Sequence, residues 1–263
     1  MRSDGGSCDA LIGHTGFVGS NLLRQRRFAA TFNSSSIGGI AGARFDAVVC
    51  AGASGVKWWA NQNPGQDRAR IAALMRHLDT VEAGHFTLIS TVDVYDSPVM
   101  VDEDDDPTPA RLHAYGRNRL MLETYVAQRF DRSLVVRLPG LFGTGLKKNV
   151  IHDLMQGERL AAINPASTFQ WYPLDRLAAD LARARRLGLA RLNLATAPLA
   201  MATLCECVFQ GAAIGADAAA AIAYDMRTRH DAAFGGADGV IMDAAAVLDA
   251  LAQFAAGGIP CGA

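Results

Sequence analysis

The amino-acid sequence predicts an α/β protein with a parallel sheet covered by helices on both faces. Short apolar runs and helical patterns alternate along the chain, the signature of strands joined by helical crossovers. A glycine-rich turn joins the first run to the first helix. With 263 residues, 50% of them hydrophobic, the chain is long enough for one large domain around a continuous core.

The elements follow in order. Asp9 to Ile12 is a short apolar strand ending at a glycine, and Phe17 to Arg27 a helix with a basic end that suits its negative pole. Ala29 to Phe32 and Phe45 to Cys50 are the second and third strands. Pro64 to Val81 is helical, with proline at a first-turn position. His85 to Ser90 is the fourth strand, Ala114 to Gln128 a helix, and Ser133 to Leu138 the fifth strand. Right-handed crossovers wind such elements into a doubly wound sheet of the Rossmann type. Asn149 to Gln156 and Leu174 to Leu187 read as helices, and Arg191 to Leu194 as a sixth strand. The alanine-rich residues 211–223 favour helix by propensity. Val101 to Pro109, with five acids in a row and two prolines, reads as a solvated acidic loop rather than a metal site, and no metal is expected. The domain prediction is one dinucleotide-binding domain over 1–263, with a small substrate lobe drawn from 144–172 and 196–263.

A net charge of -1 argues against a nucleic-acid protein, because backbone binding needs a basic face. No apolar run nears the roughly 20 residues that cross a bilayer, and the amino terminus lacks a signal-peptide pattern, so a cytoplasmic location is expected. Cys8, Cys50, Cys205, Cys207 and Cys261 are odd in number and scattered, which points to reduced structural thiols.

The first chemical signal is Gly13-His14-Thr15-Gly16-Phe17-Val18-Gly19, directly after the first strand. Glycine at 13 permits a sharp turn, at 16 a close backbone approach to a pyrophosphate, and at 19 close helix–sheet packing. Thr15, Phe17 and Val18 stand at the helix amino terminus, whose N–H groups and dipole favour phosphate. The second strand runs into Asn33-Ser34-Ser35-Ser36, with neither an acid nor an arginine to read a ribose. Absence of the acid removes a repulsion against a 2′-phosphate, so NADP is weakly favoured over NAD. Ala51, Gly52 and Ala53 follow the third strand at its carboxyl end, where ligands sit in such sheets.

The second signal is Ser90-Thr91-Val92-Asp93-Val94-Tyr95 after the fourth strand, followed by Tyr115-Gly116-Arg117-Asn118-Arg119. Tyr115 and Arg119 are four apart and share a helix face. With the glycine turn, these residues resemble the extended short-chain dehydrogenase/reductase superfamily, the nucleotide-sugar epimerases, dehydratases and reductases, over about residues 9 to 180. The resemblance implies that Thr91 is the catalytic hydroxyl and Tyr115 the catalytic tyrosine of a Tyr-x-x-x-Lys motif, with Arg119 in the lysine position. It implies that Ser90 and the segment Arg137 to Gly143, including Pro139 and Leu141, border the cofactor, and that Phe169 to Asp175 returns the chain to the sheet.

A phenol titrates near 10, so Tyr115 needs a neighbouring cation to act near neutrality. Arginine keeps that charge, but its planar fork places donors differently. The dehydratases of this group carry Asp-Glu after the threonine; here Val92 and Asp93 stand there, which disfavours dehydration. Carbonyl reduction and epimerisation remain, with the short chain nearer the reductases. Lys57, Trp58, Trp59 and Asp93 are candidate substrate contacts, and Lys147, Lys148 and Asn149 candidate diphosphate contacts. The expected activity is an NAD(P)-dependent reductase or epimerase acting on a nucleotide sugar or a related polar carbonyl compound; by resemblance, a homodimer is also expected. Two alternatives stay open: a catalytically silent dinucleotide-binding relative serving as redox sensor or interaction protein, and a binding module that has lost the cofactor.

Overall fold

The computed structural model describes residues 8–257. Six strands form a parallel sheet: β1 (Asp9–Ile12), β2 (Ala30–Phe32), β3 (Ala47–Cys50), β4 (Phe86–Thr91), β5 (Ser133–Leu138) and β6 (Arg191–Asn193). Their order is β6-β5-β4-β3-β1-β2. Ala10 of β1 stands opposite Ala30 on one side and Val48 on the other, and Val48 opposite Phe86. The chain moves one way from β1 to β2 and the other way from β3 onward. The carboxyl ends of β1 and β3 therefore flank the switch point at which such sheets take their ligands.

The helices of this layer are α1 (Phe17–Gln25), α2 (Lys57–Gln62), α3 (Pro64–Leu78), α4 (Ala114–Arg129) and α5 (Leu177–Arg186). Pro64 opens α3 and Asp67 sits in its first turn, where a carboxylate suits the positive end of the dipole. His113 caps α4 through Nδ1, which accepts the Gly116 N–H at 3.1 Å. Between sheet and helices lie Ile12, Val48, Ile71, Leu78, Phe86, Leu88, Leu122 and Val126, with Phe86 stacked on Phe130 at 4.2 Å. Each such side chain contributes about 1.5–3 kcal/mol on burial.

Two compact units result. The first comprises the chain through Asp96, then Asp106–Arg137 and Ala178–Leu192; the second comprises Ser97–Asp105, Leu138–Leu177 and the chain from Asn193. The second unit holds three small pairings. Gly140–Phe142 runs parallel to Trp171–Pro173, Thr168–Phe169 antiparallel to Leu199–Ala200, and Val99–Val101 parallel to Asp225–Met226.

Several expectations are corrected. The predicted strand over 45–50 is divided: Arg44–Phe45 pairs with Glu82–Ala83, and only Ala47–Cys50 enters the main sheet. Asp46 breaks it, its peptide N–H bonding the Cys8 carbonyl and its carboxylate accepting the Cys8 N–H at 2.8 Å. Residues 211–223 form no helix. Gly211 and Gly215 hold φ of +88° and +95° there, and alanine offers no apolar stripe large enough to fix a helix against a core. The alanine-rich helix is instead Ala244–Ala256, capped by Asp243 and burying Val247 and Leu251. The acidic stretch is not solvated throughout. Glu103 is buried, accepting the Asn193 N–H at 2.7 Å, the Thr228 hydroxyl at 2.6 Å and the Arg229 N–H at 3.0 Å. Cys8, Cys50, Cys205 and Cys207 are free thiols, and Cys261 lies outside the described residues. No helix among the described residues is long and apolar enough to cross a membrane.

Candidate active site

The glycine turn is built from contacts that exclude a side chain. Gly13 has φ +86°, and a Cβ there would lie 2.3 Å from the Ala51 carbonyl oxygen; at Gly19 it would lie 2.2 Å from that of Gly13. The Gly13 N–H bonds the Phe32 carbonyl at 2.7 Å and the Ala51 N–H that of Ile12 at 2.9 Å. The turn is thereby pinned between the ends of β1, β2 and β3. Gly16 begins α1 in an extended conformation, and no side chain caps the helix or places an acid in its first turn. A Cβ at Gly16 would meet only the Gly13 oxygen, at 3.3 Å, so glycine keeps the mouth of the turn open. The donor set and the absent side chains suit a diphosphate.

At the end of β2, Asn33 Oδ1 accepts the N–H groups of Ser35 and Ser36 and the Ser35 hydroxyl, at 3.0, 3.1 and 2.7 Å. This is an Asx turn with its serines exposed, and it carries no carboxylate. Ala51, Gly52 and Ala53 follow β3, with Gly52 exposed.

Thr91 ends β4 and Tyr115 lies in the first turn of α4, where the Thr91 hydroxyl is near enough to the phenol to favour its ionised form. The Tyr115 N–H is held by Asn61 Oδ1 of α2 at 2.9 Å. Gly116 lets α4 approach the Thr91–Tyr95 turn, since a Cβ there would lie 1.9 Å from the Asp93 carbonyl oxygen. The phenol is buried, and burial pushes its pKa above the ordinary tyrosine value. The Arg119 charge, the Thr91 hydroxyl and the Lys57 charge oppose that shift, while the Asp93 carboxylate adds to it.

Arg119 is engaged through both terminal nitrogens, while its Nε is buried without a partner. Its guanidinium is buried against Asp67, both nitrogens of the fork donating to the carboxylate, Nη2 to Oδ1 at 3.0 Å. Nη2 also donates to the Ser54 carbonyl at 2.5 Å and Nη1 to that of Tyr115 at 3.3 Å. Asn118 supplies Asp67 with another donor at 2.8 Å. The guanidinium carbon lies 3.9 Å from the centre of the Tyr115 ring, a cation–π stack. Burial of a charge this deep requires such pairing.

Asp93 stands on the other side of Thr91. Its N–H donates to Thr91 Oγ1 at 3.2 Å, and its carboxylate takes Lys57 Nζ at 2.7 Å, with His113 Nε2 at 3.8 Å. Lys57, Asp93 and His113 thus join Thr91 and Tyr115 in one polar cluster.

Ser90 directly precedes Thr91 in β4. Its hydroxyl is buried and donates to Glu123 at 2.5 Å. Arg137 Nη2 meets Glu123 at 2.8 Å and Nη1 meets the Tyr95 hydroxyl at 2.6 Å. This buried network ties β4, α4 and β5 together one residue from Thr91. Sequence spacing gave no signal for Asp67, Asn61 or Glu123, because each acts only across elements remote in the chain. Trp58 is exposed, and Trp59 is half-buried with Arg70 stacked 4.1 Å above its ring.

Pro139, Leu141, Lys147, Lys148 and Asn149 belong to the second unit. Lys147 and Lys148 are exposed. Asn149 caps the helix Val150–Gln156, accepting the His152 N–H at 3.1 Å and donating to the Leu141 carbonyl at 2.8 Å. Its amide therefore has a structural use that the sequence reading did not foresee.

No family model and no curated protein matches the sequence. The fold does match solved structures. dTDP-4-dehydrorhamnose reductase from Bacillus anthracis, in complex with NADP, aligns with TM-score 0.74 over 96% of this chain and 100% of its own, at 13% identity. WbmG from Bordetella bronchiseptica, in complex with NAD and UDP, aligns with TM-score 0.75 over 98% and 96%, at 12% identity. UDP-N-acetylglucosamine 4-epimerase from Methanobrevibacter ruminantium aligns with TM-score 0.74 over 95% and 97%, at 11% identity. The chain shares the fold of these solved structures.

Proposed function

We propose that the protein is an NAD(P)-dependent oxidoreductase of the extended short-chain dehydrogenase/reductase type, a reductase or epimerase acting on a nucleotide sugar or related polar carbonyl compound. The observation that carries this reading is the placing of Thr91, at the carboxyl end of β4, beside the buried Tyr115 in the first turn of α4, in a unit whose β1–α1 turn is shaped for a diphosphate. Gly13, Gly16 and Gly19, with the N–H groups opening α1, would hold the coenzyme diphosphate. The coenzyme, when bound, supplies or takes the hydride. Thr91 holds the substrate oxygen by its hydroxyl, and Tyr115 gives that oxygen a proton on reduction or removes one on oxidation. Arg119 offsets the cost of a buried phenolate from beneath the ring. The carboxylate-free turn at Asn33–Ser36 supports NADP over NAD, since nothing there repels a 2′-phosphate.

Thermal unfolding with each coenzyme tests the reading, because a ligand that binds only the folded state raises the midpoint. NADPH is expected to raise it more than NADH. Turnover on sugar nucleotides bearing a keto group should then fall by about 10²-fold or more in Tyr115→Phe, with the coenzyme shift intact. No shift with either coenzyme would refute coenzyme binding. The engagement of Arg119 by Asp67 favours one second reading, a dinucleotide-binding relative without turnover. A shift accompanied by no turnover would establish it.

A further inference from the structure

Among the lysine's duties in a Tyr-x-x-x-Lys motif is to present a cation that adjusts the tyrosine. Arg119 presents a charge, but not an adjustable one. Its two terminal nitrogens are committed to Asp67, Ser54 and Tyr115, and it is buried with its counter-ion. A guanidinium also stays protonated throughout the accessible range. Another cation stands in the same cluster. Lys57 opens α2, and four residues on, Asn61 receives the Tyr115 N–H at 2.9 Å. Residues four apart share a helix face, so the helix turn that grips Tyr115 also delivers Lys57 to its side. There Lys57 Nζ lies 2.7 Å from Asp93, whose own N–H is bonded to Thr91, and all three groups bear on the phenol. The Lys57 side chain keeps 39% of its exposure, against 3% for Arg119.

We propose that Lys57, held by Asp93, is the adjustable cation of the Tyr115 site, and that Arg119 is a fixed charge bolted in place by its pair with Asp67. This rests on the functional reading above. Lys57 is a positioning residue in this scheme: it acts on the phenol through Asp93 and Thr91 and through space. The charged and titratable groups facing the phenol are Arg119 and His113 from α4 and its cap, Asp93 after β4, and Lys57 from α2, with Asp67 of α3 behind Arg119. Of these, Lys57 and Asp93 form the pair that a ligand group can open. A substrate hydroxyl or phosphate drawing Nζ off the carboxylate would change the field at the phenol without disturbing the fold.

The test reads the phenol directly, in the unliganded protein, so it does not depend on turnover. The protein is labelled with [13Cζ]tyrosine, the Tyr115 signal is assigned by its loss in Tyr115→Phe, and its ionisation is followed by NMR against pH. Lys57→Met is expected to move the Tyr115 midpoint upward, and Lys57→Arg to leave it near the parent value. Asp93→Asn is expected to move it downward, which brings it into reach if the parent midpoint lies too high to follow; Lys57→Met added to Asp93→Asn should then raise it again. A Tyr115 midpoint indifferent to Lys57→Met in both backgrounds would overturn the proposal and return the role to Arg119. Failure of the coenzyme shift would instead strike the functional reading and leave this result standing.

Discussion

The Arg119–Asp67 pair makes a quantitative demand. Asp67 is 1% exposed and accepts two donors from Arg119 and one from Asn118. Asp67→Ala leaves a guanidinium 3% exposed with no counter-ion. Breaking such a pair from one side costs about 3–5 kcal/mol, because the remaining charge stays desolvated. For a chain of this size each kcal/mol lowers the midpoint by roughly 2–4 °C, so Tm should fall on the order of 10 °C. Removing both charges is a different perturbation. Asp67→Leu with Arg119→Met replaces the pair by apolar groups of similar volume, and should recover most of that loss. Thermal and urea unfolding of the parent, both single variants and the double variant give the coupling energy directly. A fall below about 1 kcal/mol in Asp67→Ala would show that the guanidinium reaches water, and the claim that Arg119 is locked would fail.

Two further outcomes are expected. Gly116→Ala places a methyl 1.9 Å from the Asp93 carbonyl, a backbone atom that cannot step aside. α4 should shift away from Thr91, costing about 1–3 kcal/mol and lowering kcat by more than tenfold while the coenzyme-induced Tm shift persists; an unchanged kcat would show that the helix position does not govern the Thr91–Tyr115 pair. His85, pushed down to about 4 by burial first and by the charges of Arg185 and Arg132, stays neutral in the fold while the unfolded chain protonates near 6.5. The unfolded state thus binds more protons between those values, and stability falls as pH drops from 6.5 toward 4, at most about 1.4 kcal/mol per pH unit. Urea midpoints across that range should lose this slope in His85→Phe, and an identical slope would show that other groups carry it.

The sheet was legible because its strands are short apolar runs set between helical patterns, and each of the six appeared near its predicted place. The glycine turn was legible because its constraints are local: Gly13 must take a left-handed φ, and Gly19 must let the helix touch the turn. Thr91 and Tyr115 were found by spacing and resemblance. What holds them was not legible. Asp67 lies 52 residues from Arg119 and Glu123 lies 33 from Ser90, and nothing in a linear pattern pairs a carboxylate with a partner that far away. Glu103 failed in the opposite sense. Surrounded by aspartates it resembles any solvated acid, yet folding brings three donors from distant segments to it. Propensity misled at 211–223, where alanine favours helix but supplies no face to bury, whereas Val247 and Leu251 supply one to Ala244–Ala256.

The arginine at 119 also has consequences for its own replacement. Lysine there would keep the charge beside Asp67 but present one ammonium in place of a fork. It loses the bidentate contact and the donor to Ser54, each a charge-assisted bond worth about 1.5–3 kcal/mol, partly offset by the donor Asn118 already gives Asp67. Arg119→Lys should therefore lower Tm by several degrees. Turnover should nonetheless be kept or raised, because the shorter, rotatable ammonium is free of the geometry that confines the fork and Lys57 is untouched. Loss of stability with retained kcat separates the two duties of position 119. A stable, folded Arg119→Lys protein with no turnover would show that the guanidinium beneath the Tyr115 ring carries the chemistry, and that its pairing with Asp67 is the means of aiming it.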